Sequence, residues 1–585
     1  MYDLKIKGGT IIDGTGAEGF RGDVGIKDGT IVAVGDECTE SAEKTLDANG
    51  AVVTPGFTDV HTHYDGQISW DSDLMPSSIH GVTTCAMGSC GVGFAPVRPN
   101  DQERLIELME GVEDIPGSAL SEGITWGWET FPQYMDALAK MPHTIDFACQ
   151  VPHDALRVYV MGERAVAEED ATDEDIAEMR RLLRLALEAG AIGFSTGRSD
   201  NHRSAKGEWT PASEATGKEL AGVAEAFVGL KHGVLQAVSD FDILHGDDRF
   251  DGEFALLEGM LRAAGGRPMS ISTMQRDHSV NQWKWIFERA QKLNDEGYDV
   301  RCQVAPRGIG VILGLTATFH PFMGFPSYKK ISHLPLEEQV KAMRDPEMKA
   351  RMIQEKSEPV AGDGSMLPPL ADFFLSNLNM VAMRLFELGE DPNYEPSVQQ
   401  SFAAKASFAK EPVLGVIYDA MLQNDGEALL YFPVYNYSGM NLDVCHEMLT
   451  HPLSIPGLSD GGAHVGTICD ANFPTFLMTH WARDRQKGRI PLEQIIKMQA
   501  HDTARFIGLT DRGTIAKGQR ADINVIDFDN LKLEHPVMQK DLPAGGQRLM
   551  QYAKGYVATM VAGQTIAEGG RLTGAYPGQL VRAGA

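Results

Sequence analysis

The sequence has few cysteines, and none of them belongs to a motif that would build a disulfide framework or a zinc ribbon. They are odd in number, widely spaced and never arranged as CxxC: Cys38, Cys85, Cys90, Cys149, Cys302, Cys445 and Cys469. Because this pattern is typical of proteins that stay reduced, we expect a cytoplasmic protein without disulfide bonds.

Positive charge and long apolar runs are also scarce. The chain has 52 Lys and Arg against 81 Asp and Glu, a formal net charge of −29. Phosphate contacts need clustered cations, so this balance argues against a nucleic-acid partner. No apolar run reaches about eighteen residues, and the opening MYDLKIKGGTIIDGTG has no signal-peptide core. We therefore expect no membrane span.

The two ends of the 585-residue chain have the same sequence pattern. DLKIKGGTIID and GDVGIKDGTIVAVG near the start, and YVATMVAGQTIAEGGRLTG near the end, are short strands separated by glycine-containing turns. A chain of this length needs more than one core. We predict a small β-sandwich formed by residues 1–54 together with residues 508–585, because chain ends often meet within a domain.

The middle of the chain alternates helices and strands. The clearest helix is TDEDIAEMRRLLRLALEAG, with Thr172 as its N-cap and Gly190 as its stop, and the strand AIGFSTG follows directly. Repetition of this order favours an α/β fold with a (β/α)₈ TIM-like barrel over residues 55–507. A doubly wound open sheet is the alternative. Residues 325–415 break the alternation and are predicted to be an insertion on a βα loop.

Two histidines follow an apolar run in VVTPGFTDVHTHYD. Residues i and i+2 of a strand point to the same side, so His61 and His63 project together from the end of the first predicted barrel strand. Barrel enzymes carry their catalytic groups at this end of the strands. Two imidazoles there are candidates for two ligands of a transition metal, and two packed histidines are the alternative.

Two further stretches place reactive side chains at predicted strand ends. Cys90 follows the strand in GVTTCAMGSCG and is a candidate metal ligand or nucleophile, or else a buried inert thiol. Asp460 follows the apolar run in PLSIPGLSDGGAH and is a candidate ligand or general base, or else a helix cap. His464 lies four residues further on and is predicted to line the same site.

Together these stretches resemble the amidohydrolase superfamily and, within it, the D-aminoacylase (N-acyl-D-amino-acid deacylase) group. The resemblance covers most of the chain, and the segment 325–415 is its weakest part. It rests on PGFTDVHTHYD, GVTTCAMGSCG, GAIGFSTG, LSDGGAH and the C-terminal DRGTIAKGQRADINVID.

The resemblance implies a barrel enzyme that hydrolyses an amide C–N bond with water activated by zinc. Carried over by motif, His61, His63 and Asp460 correspond to one metal position, and Cys90 corresponds to the bridging thiolate of the group. Asp460 is implied to take a proton from the water and pass it to the leaving amine.

The sequence departs from this group at two middle strands. The group has a zinc-binding histidine at the end of each, but HGVLQAVSDFD presents Gln236, Ser239 and Asp240, and GRPMSISTMQRD presents Thr273, Met274 and Gln275. His232, His245 and His278 lie only in the flanking loops. Since Gln, Ser and Thr are poor zinc ligands, we prefer one Zn²⁺ at His61, His63 and Asp460, with Cys90 as a further ligand, over two.

The partner expected on this basis is a small amide substrate, and the superfamily's habit suggests a homo-oligomer. Its candidate contacts are the polar residues at the predicted strand ends: Arg198, Gln236, Arg276, Arg307 and His464. Two other functions stay open, a hydrolase of cyclic amides, lactams or imides of the dihydropyrimidinase-like type and a non-catalytic binding relative.

Overall fold

Two large sheets organise the chain, which a computed structural model describes for residues 1–242, 245–361, 367 and 369–584. Residues 362–366 and 368 of the predicted insertion lie outside the described part. The strands in chain order are β1 (Tyr2–Ile11), β2 (Phe20–Lys27), β3 (Thr30–Val34), β4 (Ala42–Asp47), β5 (Val52–Pro55), β6 (Phe57–Thr62), β7 (Val82–Met87), β8 (Asp146–Pro152), β9 (Gly193–Arg198), β10 (Val234–Ser239), β11 (Met269–Thr273), β12 (Val300–Val304), β13 (Gly310–Leu313), β14 (Phe386–Leu388), β15 (Leu429–Pro433), β16 (Ser454–Pro456), β17 (Ile523–Ile526), β18 (Lys532–Leu533), β19 (Val537–Gln539), β20 (Arg548–Met550), β21 (Ala553–Lys554), β22 (Tyr556–Val561), β23 (Gln564–Glu568) and β24 (Arg571–Leu572).

Most of the helices lie between β7 and β17. They are α1 (Gln102–Glu113), α2 (Gly117–Gly123), α3 (Phe131–Leu138), α4 (His153–Met161), α5 (Glu163–Val166), α6 (Asp173–Glu188), α7 (Gly217–Ala224), α8 (Phe250–Ala263), α9 (Gln282–Asp295), α10 (Pro326–Lys329), α11 (Leu336–Met343), α12 (Pro346–Met352), α13 (Pro369–Ser376), α14 (Leu378–Val381), α15 (Phe402–Ala409), α16 (Val413–Met421), α17 (Asp443–Leu449), α18 (Phe473–Phe476), α19 (Leu492–Ile496) and α20 (Thr503–Phe506).

An eight-stranded parallel sheet forms the centre of the fold, in the order β6–β7–β8–β9–β10–β11–β12–β16. Each strand pairs with the next one along the chain, without the reversal of order that defines a doubly wound sheet. All six residues of β6 and of β7 are buried, as expected for strands covered on both faces. The predicted α/β class is confirmed, and the doubly wound alternative is wrong.

Helix α6 shows how local sequence signals decide this architecture. Thr172 is its N-cap, and the Thr172 hydroxyl and the Asp175 carboxylate each accept a backbone N–H of the other residue. The apolar stripe of the helix is buried, and the chain turns at Gly190, whose φ of 103° favours glycine. The helix and the strand β9 that follows it were both predicted from the sequence.

Both ends of the chain meet in a second sheet of nine strands. Its order is β24–β23–β22–β17–β5–β1–β2–β3, and β4 pairs with β1 along the edge that also carries β5. Strand β5 lies between β1 and β17, so the N-terminal and C-terminal parts share one hydrogen-bonded sheet. Strand β5 also leads into β6 after a single residue, which joins this terminal sheet to the first strand of the parallel sheet.

The segment between β12 and α17 carries its own small core. Strands β13, β15 and β14 form an antiparallel sheet, and helices α10 to α16 surround it. A separate apolar cluster fills this segment, including Phe322, Phe374 and Tyr418. The segment leaves the parallel sheet at the carboxyl end of β12. The predicted insertion falls within it.

All seven cysteines are buried and unpaired. Among the described residues, no helix has both the length and the apolarity that crossing a membrane requires.

The terminal sheet and the parallel sheet are joined by a buried ion-pair network around Arg512. Its guanidinium donates to Asp146 Oδ2 at 2.6 Å and to Thr84 Oγ1 at 2.8 Å, and it lies 3.6 Å from Asp522 Oδ2. Asp146 begins β8 and Asp522 precedes β17. The same guanidinium therefore contacts both sheets.

Replacement of Arg512 by Leu should destabilise the protein strongly. The change removes one of the two guanidinium groups that neutralise these buried carboxylates, since Arg520 lies 3.0 Å from Asp146 and 3.2 Å from Asp522, and breaking a buried pair costs about 3–5 kcal/mol. The thermal midpoint of unfolding should fall by several degrees. Arg181→Leu is the matched control, because Arg181 pairs with Glu178 on the exposed face of α6. Equal midpoints for the two variants would contradict the role given to Arg512.

Candidate metal centre

Three sequence-predicted side chains meet at the carboxyl end of β6. His61 and His63 are both 1% exposed, and Cys90 follows β7. One ligand atom from each, an imidazole nitrogen or the thiol sulfur, lies within 4.8 Å of the other two. Among the described residues, this is the only buried group of three or more His, Cys, Asp and Glu side chains with such spacing.

Asp460 completes the cluster from the other edge of the sheet. Its Oδ1 lies 3.2 Å from His61 Nε2 and 3.7 Å from His63 Nε2, while Cys90 Sγ lies 3.3 Å from His61 Nε2. Asp460 therefore lies against both imidazoles, beside the group that His61, His63 and Cys90 form.

The loop carrying Cys90 is held against neighbouring strands by close backbone contacts. A Cβ on Gly88 would lie 2.3 Å from the Gln150 carbonyl oxygen, and a Cβ on Gly91 would lie 2.8 Å from Gly197 N. Both glycines have φ of 82°. The Cys90 N–H also donates to Gln236 Oε1 at 3.2 Å, which fixes the thiol at the end of β7.

The electrostatics of the cluster are those of a site that needs a cation. Burial raises the pKa of the Cys90 thiol to about 12, and burial lowers the pKa of His61 to about 4. Burial also opposes ionisation of Asp460, but hydrogen bonding to His63 and the adjacent imidazoles hold its pKa well below the usual range. Burial opposes protonation of His63, but the Glu113 carboxylate and Cys90 raise the pKa of His63 well above its ordinary value, so a metal ion would have to displace the proton of this imidazole.

The spacing and donor types fit zinc. Tetrahedral zinc with bonds of about 2.0–2.3 Å separates its ligand atoms by about 3.3–3.7 Å. Three of the six pairs among these ligand atoms, Cys90–His61, His61–Asp460 and His63–Asp460, span 3.2 to 3.7 Å. Two nitrogens, one sulfur and one oxygen are also ligand types that zinc accepts.

Two residues that were not predicted from the sequence contact the Nδ1 atoms of these histidines. Gln303, in β12, places Oε1 2.8 Å from His61 Nδ1. Glu113, the last residue of α1, places Oε1 3.3 Å from His63 Nδ1 and Oε2 3.5 Å from His464 Nε2. A signal for Glu113 was present, because it shares the buried stripe of α1 with Ile106 and Met109.

A third histidine lies near the cluster. His202, in the loop after β9, has a pKa lowered to about 4 by burial and by the neighbouring His464 and His63. It belongs to neither middle strand where the resemblance placed a zinc ligand.

The middle-strand positions themselves hold no imidazole. Gln236, in β10, lies at the cluster with Nε2 2.9 Å from His61 Nδ1. At the end of β11, Thr273 is fully buried and its hydroxyl donates to the Ile271 carbonyl. The Asp240 carboxylate accepts the backbone N–H groups of residues 200 and 242. Ser239 Oγ accepts the N–H of residue 241, and the Gln275 carbonyl accepts the N–H of residue 436.

The three histidines of the flanking loops, His232, His245 and His278, lie away from the cluster. His232 Nε2 contacts the Leu187 carbonyl at 3.0 Å, and His245 contacts Asp242. His278, after β11, has a pKa lowered first by its own burial and then by the nearby Arg276.

The predicted substrate contacts occupy different settings. His464 is partly exposed and lies beside Glu113. Arg198 is buried and pairs with Glu253 at 3.0 Å, and Arg307 is buried and pairs with Asp470 at 2.7 Å.

Arg276 differs from the other two arginines. It is buried and donates to Gln282 Oε1 at 2.7 Å and to the Ser239 carbonyl at 2.9 Å. No described carboxylate lies within ion-pair distance of it. The substrate-binding roles of these arginines stay predictions.

Comparison with known proteins identifies the family of the chain. The sequence matches the amidohydrolase family over residues 44–358 and 430–567, which is most of its length, and the chain belongs to this family. It is 34% identical over 279 residues to a D-aminoacylase of Alcaligenes xylosoxydans xylosoxydans, which covers 48% of this chain and 51% of that protein. The match thus spans about half the length of that relative. The predicted family is confirmed.

Two solved structures share the fold over the full length of both chains. One is a D-aminoacylase described by its binuclear metal centre, with one-metal activation and second-metal attenuation, at 23% identity and a TM-score of 0.64. The other is N-acyl-D-glutamate deacylase from Bordetella bronchiseptica, complexed with zinc and a phosphonate inhibitor, at 22% identity and a TM-score of 0.61.

Zinc binding should release a proton from Cys90, so zinc affinity should rise with pH. The buried thiol is neutral below a pKa of about 12 and must ionise to bind a metal. Calorimetry in buffers of different ionisation enthalpy should show one proton fewer released by Cys90→Ala than by the wild type. Cys149→Ala removes a buried thiol in β8 and should match the wild type. Equal proton release from Cys90→Ala and the wild type would exclude Cys90 as a ligand.

Proposed function

We propose that the protein is a metal-dependent hydrolase of a C–N amide bond, most simply an N-acyl-(D-)amino-acid deacylase. The observation that carries the proposal is the group of His61, His63 and Cys90 at the carboxyl end of the parallel sheet, with the Asp460 carboxylate against both imidazoles. Names of relatives support the substrate class, since a D-aminoacylase and an N-acyl-D-aspartate deacylase each match part of the chain at 34% identity.

One zinc ion is the preferred occupant. His61, His63, Cys90 and Asp460 would hold it. When bound, zinc lowers the pKa of water and polarises a substrate carbonyl. The amide of Gln236 and the hydroxyl of Thr273 stand where the resemblance places histidines, and both are poor zinc ligands. This supports one tightly held ion rather than the binuclear centre described for the solved D-aminoacylase.

Asp460 is the residue best placed to move protons. Its Oδ1 faces both imidazoles, and as a carboxylate it can accept a proton from the attacking water. The same carboxyl group then returns the proton to the nitrogen of the leaving amine.

The arrangement of the strands also supports this assignment. We interpret the parallel sheet as a (β/α)₈ barrel over residues 55–507, because an isolated bridge between Thr62, at the end of β6, and Gly461 links the first strand to the segment that follows the last strand, β16. Residues 1–54 and 508–585 are assigned to a small β-sandwich on the basis of their shared sheet. Seven unpaired cysteines support a reducing, cytoplasmic location.

Zinc-loaded protein should release free amino acid and carboxylate from N-acetyl-D-amino acids. Asp460→Asn should lower kcat by about 10²–10⁴-fold, the usual contribution of a positioned general base or acid. Mass spectrometry separates this activity from the cyclic-amide alternative, because deacylation gives two products and ring opening gives one product heavier by one water.

Matched controls keep the test specific. Removal of zinc with a chelator should abolish turnover, and readdition of zinc should restore it. Ring opening of hydantoins or dihydropyrimidines without deacylation would replace the proposed substrate class. Full turnover by Asp460→Asn would exclude the proton-transfer role of Asp460.

A further inference from the structure

Glu113 is a buried carboxylate, and within the described part of the chain its ion-pair partners are two histidines, His63 and His464. It is 1% exposed, and its two oxygens lie 3.3 Å from His63 Nδ1 and 3.5 Å from His464 Nε2. Within the described part of the chain, neither His63 Nδ1 nor Glu113 Oε1 makes a hydrogen bond, and the contact between them is the 3.3 Å ion pair. No described lysine or arginine lies within ion-pair distance of Glu113.

The position of Glu113 is unfavourable for an acid on local grounds. It is the last residue of α1, where the helix dipole disfavours negative charge, and it lies on the buried stripe of that helix. Burying a carboxylate without a basic residue costs several kcal/mol. Because Glu113 conflicts with both the helix dipole and the cost of burying a charge, its presence points to a role in the site that it faces.

The end of α1 is also fixed relative to the segment that follows β16. Asp114 adopts φ of 49° and ends α1, and the Glu113 carbonyl accepts the backbone N–H of His464. The Glu113 side chain and main chain therefore both contact the segment that follows β16. This segment contains Asp460.

The two histidines of the HTH sequence have different supports. His61 Nδ1 faces the neutral amides of Gln303 and Gln236, whereas His63 Nδ1 faces the carboxylate of Glu113. An imidazole that gives its second N–H to a carboxylate is held in one tautomer and becomes a stronger metal ligand.

We propose that Glu113 is a positioning residue that holds the Nδ1–H of His63 and so directs Nε2 towards Asp460 and the metal. Its second oxygen holds His464 beside the same centre. The proposal rests on the proposed function only in taking zinc as the occupant of the His61, His63, Cys90 and Asp460 cluster.

The test compares Glu113→Gln with the wild type by zinc affinity, measured by competition with a chromophoric chelator. Removing the carboxylate should lower zinc affinity by about 10–100-fold, the usual effect of losing such a support. The visible spectrum of the cobalt-substituted protein should also change, because the His63 ligand field changes. Asp114→Asn removes the neighbouring acid, suits the same left-handed backbone and should keep both wild-type readouts.

Each outcome decides the proposal. Wild-type zinc affinity and an unchanged cobalt spectrum in Glu113→Gln would overturn it, as would equal losses in Glu113→Gln and Asp114→Asn. If Glu113→Gln does not fold, the zinc-loaded wild-type crystal structure decides. A Glu113 oxygen hydrogen-bonded to His63 Nδ1 supports the role, and a side chain turned away overturns it.

The same measurements separate this role from the proposed function. If the zinc-loaded wild type hydrolyses no N-acyl amino acid but Glu113→Gln loses zinc affinity, the function is wrong and the positioning role stands. If the wild type hydrolyses such substrates and Glu113→Gln retains zinc as tightly, the positioning role is wrong and the function stands. Absence of zinc binding by the wild type would overturn both.

Discussion

The hydrogen bond from the His63 N–H to the Gly461 carbonyl, 2.8 Å long, is the contact on which the candidate centre depends. It joins the end of β6 to the segment after β16, nearly four hundred residues further along the chain. Two neighbouring contacts support it, since the Ser459 hydroxyl lies 2.5 Å from Asp59 Oδ2 and 3.0 Å from the His61 carbonyl. Without this junction, Asp460 would not face the two imidazoles.

Left-handed backbone is a second constraint on the centre. Cys90, Asp460 and His464 have φ of 57°, 48° and 47°, a region that costs a non-glycine residue about 1–3 kcal/mol. All three lie in turns just after strands of the parallel sheet, where packed neighbours hold the backbone in place. This conformation turns the side chains back over the strand ends, where the imidazoles of His61 and His63 project. The strained backbone therefore lowers the stability of the fold, and in return the three side chains are placed at the site.

The parts of the fold and site that follow from short-range rules could be predicted from the sequence. Helix α6 follows from its N-cap, its apolar spacing and Gly190, and the joint projection of His61 and His63 follows from strand periodicity. Cys90 and Asp460 were found because each comes directly after an apolar strand. The absence of zinc-binding histidines at Gln236 and Thr273 was also visible in the sequence.

The rest depends on contacts between distant segments. Glu113 was detectable only as an acid on an apolar helix stripe, and its histidine partners depend on how α1 packs against the segment after β16. Gln303 is one polar residue in a buried strand, and its contact with His61 requires strands separated by five others in the sheet order. Likewise, Arg198 and Arg307 follow strands as predicted, but their carboxylate partners Glu253 and Asp470 are specified by packing.

The most direct test of the account is the anomalous scattering of zinc in a crystal of the zinc-loaded protein. The account predicts one strong peak bounded by His61, His63, Cys90 and Asp460, with the Gln236 and Thr273 side chains outside its ligand shell. A peak elsewhere with none at these four residues, or two equally strong peaks with Gln236 and Thr273 as ligands, would contradict it.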